Sequence, residues 1–134
     1  MNPSDIEIVT SFAKALDHED YDTAIGLLAP GCVYDIRGKR IEGAGAIVDS
    51  YRGNGEAARS FDSIAYGSAV REGDDAWVVI EFWDELTHRG RTHRHVCEQW
   101  VRVEAGAIVT IEHRDLAGEV EGLEAFKKWC FGEG

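Results

Sequence analysis

The sequence predicts an α+β domain whose helices pack on one face of an antiparallel sheet. Helical periodicity is confined to the stretch before about Gly53 and to the C-terminal end, and four β-rich segments lie between Phe61 and Asp115 with short turn clusters between them. Helices gathered ahead of a run of hairpin-linked strands give segregated α+β packing. A third observation is local: four of the five histidines fall between His88 and His113. In the run His93-Arg94-His95-Val96-Cys97-Glu98-Gln99-Trp100, strand alternation puts His93, His95, Cys97 and Gln99 on one side. Val101 and Val103 continue that parity, so the polar stripe faces inward, as the lining of a small-molecule cavity would.

Each element has its own signal. Ser4-Asp5-Ile6-Glu7 reads as a capping box, and Ile6, Val9, Phe12, Ala13 and Leu16 follow at helical spacing, which predicts a first helix from about Asp5 to His18. A second, short helix starts at Asp20, carries Tyr21, Ala24, Ile25 and Leu28, and stops at Pro30-Gly31. Cys32 to Ile36 reads as a strand and Arg37-Gly38-Lys39 as a turn. Ala44, Ile47, Val48 and Tyr51 form one face of a third helix ending near Gly53. Phe61–Arg71, Ala76–His88, Thr92–Glu104 and Ala107–Asp115 form an antiparallel meander, because the separators between them are of hairpin length. Leu123, Phe126, Lys127 and Cys130 mark an amphipathic C-terminal helix.

Composition narrows the function classes. The 134 residues are 44% hydrophobic, with no linker or repeat, which predicts one domain over residues 1–134. Fourteen basic against twenty-five acidic residues leave a net charge of −11, which disfavours nucleic acid and anionic membrane surfaces as partners. Three widely spaced cysteines and no basic-then-apolar leader fit a cytoplasmic location.

The stretch from Leu16-Asp17-His18-Glu19-Asp20-Tyr21-Asp22 through Leu27-Leu28-Ala29-Pro30-Gly31-Cys32-Val33-Tyr34-Asp35, with Gly38 and Gly43 ahead of the third helix, resembles the opening of the NTF2-like superfamily. Its SnoaL-like branch is the best match, and Arg102-Val103-Glu104-Ala105-Gly106-Ala107-Ile108 with Asp115 resembles the family's last hairpin. The resemblance covers roughly residues 6–115. It implies a cone-shaped, cystatin-like fold: a curved antiparallel sheet with the N-terminal helices on its concave face, closing a pocket. The superfamily includes ketosteroid isomerases, scytalone dehydratase, polyketide cyclases, epoxide hydrolases and non-enzymatic modules, so fold alone does not settle activity. Asp35 matches the isomerases' proton-shuttling carboxylate, while Phe12 and Gln99 stand where their phenol and protonated acid stand. Asp17 matches the dehydratase's aspartate, where Leu16 replaces a neighbouring tyrosine. The hairpin, aligned on Gly106, puts Ile111, His113 and Asp115 on the pocket side.

These readings nominate Asp35, His113 and His95 as catalytic residues and Asp17, Phe12, Tyr51, Asp84, Cys97, Gln99, Ile111 and Asp115 as a substrate-binding set. A carboxylate and an imidazole in an apolar pocket are poised for proton transfer near neutral pH. The plainer alternatives are that His113 is a hydrogen-bonded interior histidine, that Asp35 caps the Arg37-Gly38 turn, and that His95 is satisfied by Asp84. His93-x-His95-x-Cys97 also permits zinc, but it lacks a second ligand cluster of recognised spacing, and no metal or cofactor is expected. Trp77, Val79, Trp83 and Trp100 have outward parity, which predicts a homodimer through the outer sheet face. The expected function is cofactor-independent isomerisation, dehydration or cyclisation of a small hydrophobic organic molecule, the alternative being a non-catalytic ligand-binding or dimerisation module.

Overall fold

The computed structural model describes residues 3–132; the expected domain, 1–134, reaches two residues beyond these at each end, outside the described residues. The element order is α1 (Pro3–Asp17), α2 (Tyr21–Leu27), β1 (Leu28–Ile36), β2 (Lys39–Glu42), α3 (Ala44–Ala58), β3 (Ser63–Glu72), β4 (Val78–His88), β5 (Arg91–Glu104), β6 (Ala107–Asp115) and α4 (Glu119–Phe131). The α+β class and the β3-β4-β5-β6 meander are as expected. The helix α1 begins earlier than its sequence signal, with Pro3 in the first turn, where a missing N–H costs no hydrogen bond. Asp20 caps α2 as its sequence position predicts, accepting from the Thr23 backbone N–H at 3.3 Å and its hydroxyl at 2.7 Å.

The six strands form one curved, unclosed sheet in the order β2-β1-β6-β5-β4-β3. It is mixed rather than antiparallel throughout, because β1 lies parallel to β6 with Tyr34 opposite Ile111 and Asp35 opposite Glu112. The meander leaves one side of β6 unpaired, and β1 brings Cys32 and Tyr34 onto the same inner face as Ile111. Three connections, Arg37-Gly38, Arg89-Gly90 and Ala105-Gly106, have positive φ at both residues, the tight hairpin turn whose twist matches its strands. The first of them returns the chain as β2, a strand that carries no hydrophobic run of its own.

The core lies between the helices and the inner sheet face. Val9, Phe12, Ala13 and Leu16 of α1 and Ile47 and Val48 of α3 meet Tyr34, Ile80, Val101, Ile108 and Ile111. Each large apolar side chain buried there contributes about 1.5–3 kcal/mol. A second, smaller cluster, Phe61, Leu86, Phe126 and Cys130, seats α4 at the other end. Arg89 fastens that helix by donating to the Trp129 and Cys130 carbonyls at 2.9 and 3.0 Å. Contrary to the expected stop near Gly53, α3 continues to Ala58. Its last turns carry Asn54, Gly55, Ala57 and Ala58, and the position a Cβ would take on Gly55 is 3.7 Å from the Tyr21 hydroxyl. Small residues there leave open space beside the sheet instead of filling it.

The outer face carries Trp77, Trp83 and Trp100 as parity predicts. Each indole is covered by a guanidinium of its own chain: Arg102 over Trp77 at 4.3 Å, Arg94 over Trp83 at 4.6 Å and Arg114 over Trp100 at 3.9 Å. Trp83 also lies over Gly67, where a Cβ would approach the indole to 2.8 Å, so the glycine is required by packing.

Candidate functional site

A cavity of about 350 Å³ opens between the inner sheet face, the ends of α1 and α3, and α4. Its walls are mostly apolar and aromatic. Strand pairing explains which side chains reach it: Asp84 stands opposite His95, Phe82 opposite Cys97 and Gln99 opposite His113. On β1 the same parity brings Tyr34 and Ile36 inward.

Around Gln99 and His113 the polar groups form one connected chain. Arg37 grips Asp115 with two hydrogen bonds, of 2.7 and 2.8 Å. His113 Nε2 and Asp115 Oδ1 are 2.8 Å apart, Gln99 Nε2 lies 3.2 Å from His113 Nδ1 and donates to the Tyr34 hydroxyl at 2.9 Å, and Tyr51 donates to Gln99 Oε1. With His113 neutral, one proton arrangement satisfies all of these contacts. The Asp115 carboxylate can only accept, so His113 carries its proton on Nε2; Nδ1 must then accept, so the Gln99 amide turns its NH₂ toward the ring and its oxygen toward Tyr51. Both amide hydrogens and both imidazole nitrogens are thereby occupied. The Tyr34 hydroxyl accepts within this chain and still has its own hydrogen to donate.

Electrostatics agrees with that assignment. Hydrogen bonding from Arg37 is the largest cause holding Asp115 down at about 2. Burial lowers His113 below its ordinary value, outweighing the neighbouring carboxylate, so the ring is neutral at pH 7. Burial likewise pushes Tyr34 and Cys97 up to about 12 and Tyr51 well above its usual range, so all three keep their protons.

Asp17, Asp84 and His95 also line the cavity. Asp17 accepts from the Ser68 hydroxyl at 2.7 Å. Asp84 accepts no hydrogen bond among the described residues, and burial raises its carboxyl, with Asp17 adding to the shift and His95 opposing it. The expected Asp84–His95 pair is a register pair, but the carboxylate that His95 Nδ1 faces is that of Glu119 on α4, at 3.6 Å.

Of the nominated residues, His113, His95, Asp17, Tyr51, Asp84, Cys97 and Gln99 line this one cavity. Asp35 does not, and its assignment as an acid/base group is corrected. It shares outward parity with its β6 partner Glu112, opposite to His113, is 42% exposed, and pairs with Arg40 across the β1–β2 hairpin at 3.3 Å. Phe12 and Ile111 are fully buried in the core behind the cavity, Phe12 meeting Tyr51 edge-on at 5.8 Å. Asp115 does not line the cavity and contacts His113, which does. His93 stacks on Phe126 at 5.3 Å, and among the described residues no group of three or more His, Cys, Asp and Glu side chains is placed to hold a metal ion. Sequence reasoning missed Tyr34, Arg37 and Glu119. Tyr34 was legible from its alternation with Cys32 and Ile36, whereas Arg37 and Glu119 reach the site from a turn and a helix end.

No helix among the described residues is long and apolar enough to cross a membrane. No family model and no curated protein matches the chain. Solved structures do. An LEH-like epoxide hydrolase of Mycobacterium tuberculosis superposes with a TM-score of 0.64 at 22% identity, over 94% of this chain and 89% of that one. A candidate polyketide cyclase from Pseudomonas putida gives 0.64 at 17%, over 87% and 96%. An NTF2-like protein from Exiguobacterium gives 0.65 at 14%, over 82% and 98%. At these identities the likeness speaks for architecture, which is the architecture the opening and closing motifs implied: the chain has the NTF2-like fold.

Proposed function

We propose that the protein binds a small, largely apolar organic molecule and moves a proton on it without a cofactor, in an isomerisation, dehydration or cyclisation. The observation that carries this reading is the division of labour across the cavity. One part of the lining is a neutral hydrogen-bond donor, Tyr34, pinned by Gln99; another is a carboxylate with raised pKa, Asp84, opposite His95 on the next strand. A base that removes a proton from carbon and a fixed donor that receives the developing oxyanion are the two parts such chemistry needs. Asp84 or His95 would take the proton and return it, or pass it to a departing hydroxide. His113 has both nitrogens engaged, so its part is to hold Gln99 and Tyr34 rather than to touch the ligand's proton.

Screening hydrophobic ketones, enols and polyketide-like compounds by thermal shift finds ligands first, since binding to the folded state raises its stability. Deuterium exchange from solvent into a bound ligand, followed by NMR, then reports proton transfer. Asp84→Asn is expected to retain binding and lose roughly 10²-fold or more in exchange, and Tyr34→Phe roughly 10²–10³-fold, with Asp35→Asn indistinguishable from the parent. Several ligands that bind without exchange or product would replace this reading with that of a non-catalytic binding module.

A further inference from the structure

We propose that Glu119, at the start of α4, is the positioning residue that makes His95 a base directed into the cavity. The inference rests on the proton-transfer reading above. His95 is only 6% exposed, and its Nδ1 is buried with no hydrogen-bond partner among the described residues. That nitrogen faces Glu119 Oε1 at 3.6 Å, an ion-pair distance. Nε2 is not among the buried unpartnered atoms, and the ring lines the cavity, so Nε2 is the nitrogen a ligand meets. A neutral imidazole carries one N–H. Placed on Nδ1 it points at the carboxylate and leaves the Nε2 lone pair facing the ligand; placed on Nε2 it sets the Nδ1 lone pair against an anion. The first arrangement is favoured.

Glu119 is itself held. Its Oε1 accepts the Val96 backbone N–H at 2.9 Å, from the residue next to His95 on β5. When His95 takes a proton, the imidazolium forms beside an anchored carboxylate. Of the other groups that line the cavity, Asp17 of α1, Glu19 and Asp84 of β4 favour the cation, Arg37 and Lys127 of α4 oppose it, and His113 of β6 is neutral. Because α4 also roofs the cavity through Leu123 and Lys127, His95 is fully oriented only while that helix is seated.

The test is long-range ¹H–¹⁵N correlation of His95 in the labelled full chain, from about pH 5 to 9. In the parent protein the neutral ring should carry its proton on Nδ1. Glu119→Gln keeps an acceptor for Val96 while removing the charge that faces Nδ1, and should move the neutral-ring proton of His95 toward Nε2. Ligand deuterium exchange should fall with it, at unchanged ligand affinity; a residue that merely caps the Val96 N–H would change neither. An Nε2-protonated neutral ring in the parent, or an unchanged tautomer in Glu119→Gln, overturns the proposal. The parent tautomer needs no variant, so it decides even if Glu119→Gln fails to fold. Absence of exchange in the parent, with the expected tautomer and its change in Glu119→Gln, would defeat the proton-transfer reading and leave Glu119's hold on His95 standing.

Discussion

Replacing Gln99 by Leu isolates the energetic worth of the chain that holds Tyr34. Gln99 is 3% exposed and makes three side-chain hydrogen bonds, to Tyr51, Tyr34 and His113. At about 1 kcal/mol net for each, their loss amounts to about 3 kcal/mol. The same sum approached from what remains gives a similar figure: the Tyr51 hydroxyl loses its acceptor and His113 Nδ1 its donor, at about 1–3 kcal/mol each, and the added apolar burial of Leu offsets about 1–2 kcal/mol. The variant should therefore be about 3 kcal/mol less stable, with a melting temperature lower by roughly 10 °C. Urea unfolding followed by tryptophan fluorescence measures it. Tyr51→Phe removes one of the orphaned groups, so the double variant should be less damaged than the sum of the singles by ~1 kcal/mol or more, as contacting residues couple. A loss below about 1 kcal/mol, or strict additivity, would refute the network as drawn.

Asp84→Asn should raise stability at pH 7. Burial raises the Asp84 carboxyl, so its charged form costs stability above the folded pKa; the gain from Asn should vanish in acid, where Asp84 is protonated, and a variant less stable than the parent at pH 7 would contradict this. Asp115 has the opposite sign. Its folded pKa of about 2 lies below the unfolded value of about 3.9, so its contribution is present above pH ~4 and is lost as pH falls through ~2. Arg37→Gln should flatten that part of the acid-unfolding profile, and an unchanged profile would argue against the Arg37–Asp115 clamp. For the outer face, association of two copies is tested by sedimentation velocity: Trp83→Asp with Trp100→Asp should give a monomer where the parent is a dimer, since an unpaired charge is poorly tolerated in an interface core. A dimer of unchanged affinity removes that face as the interface.

What the sequence made legible follows from the reach of its periodicities. Period-two alternation through Cys97, Gln99 and Val101 and the hairpin alignment on Gly106 put Gln99 and His113 side by side, and the structure pairs them. The third helix was cut short at Gly53 because glycine is a poor helix former; packing against the sheet overrides that preference and carries α3 to Ala58. Asp35 was placed by resemblance against the evidence of its own strand. Cys32, Tyr34 and Ile36 alternate as an inner face, which turns Asp35 outward, and the hairpin return through β2 then supplies Arg40 to meet it. Contacts made between elements far apart in the chain leave no such trace. Arg37 reaches Asp115 across 78 positions, and Glu119 meets His95 only because α4 folds back over β5. Each is one charged residue in a turn or a helix end, where a charge ordinarily needs no explanation beyond solvation. The proton arrangement of the cavity, which decides that Tyr34 donates and that His113 does not take the ligand's proton, depends on both β1 and β6 and on the turn that delivers Arg37. It becomes readable only when the parallel β1–β6 pairing is known, because that pairing alone brings the Arg37 turn alongside the end of β6, where Asp115 stands.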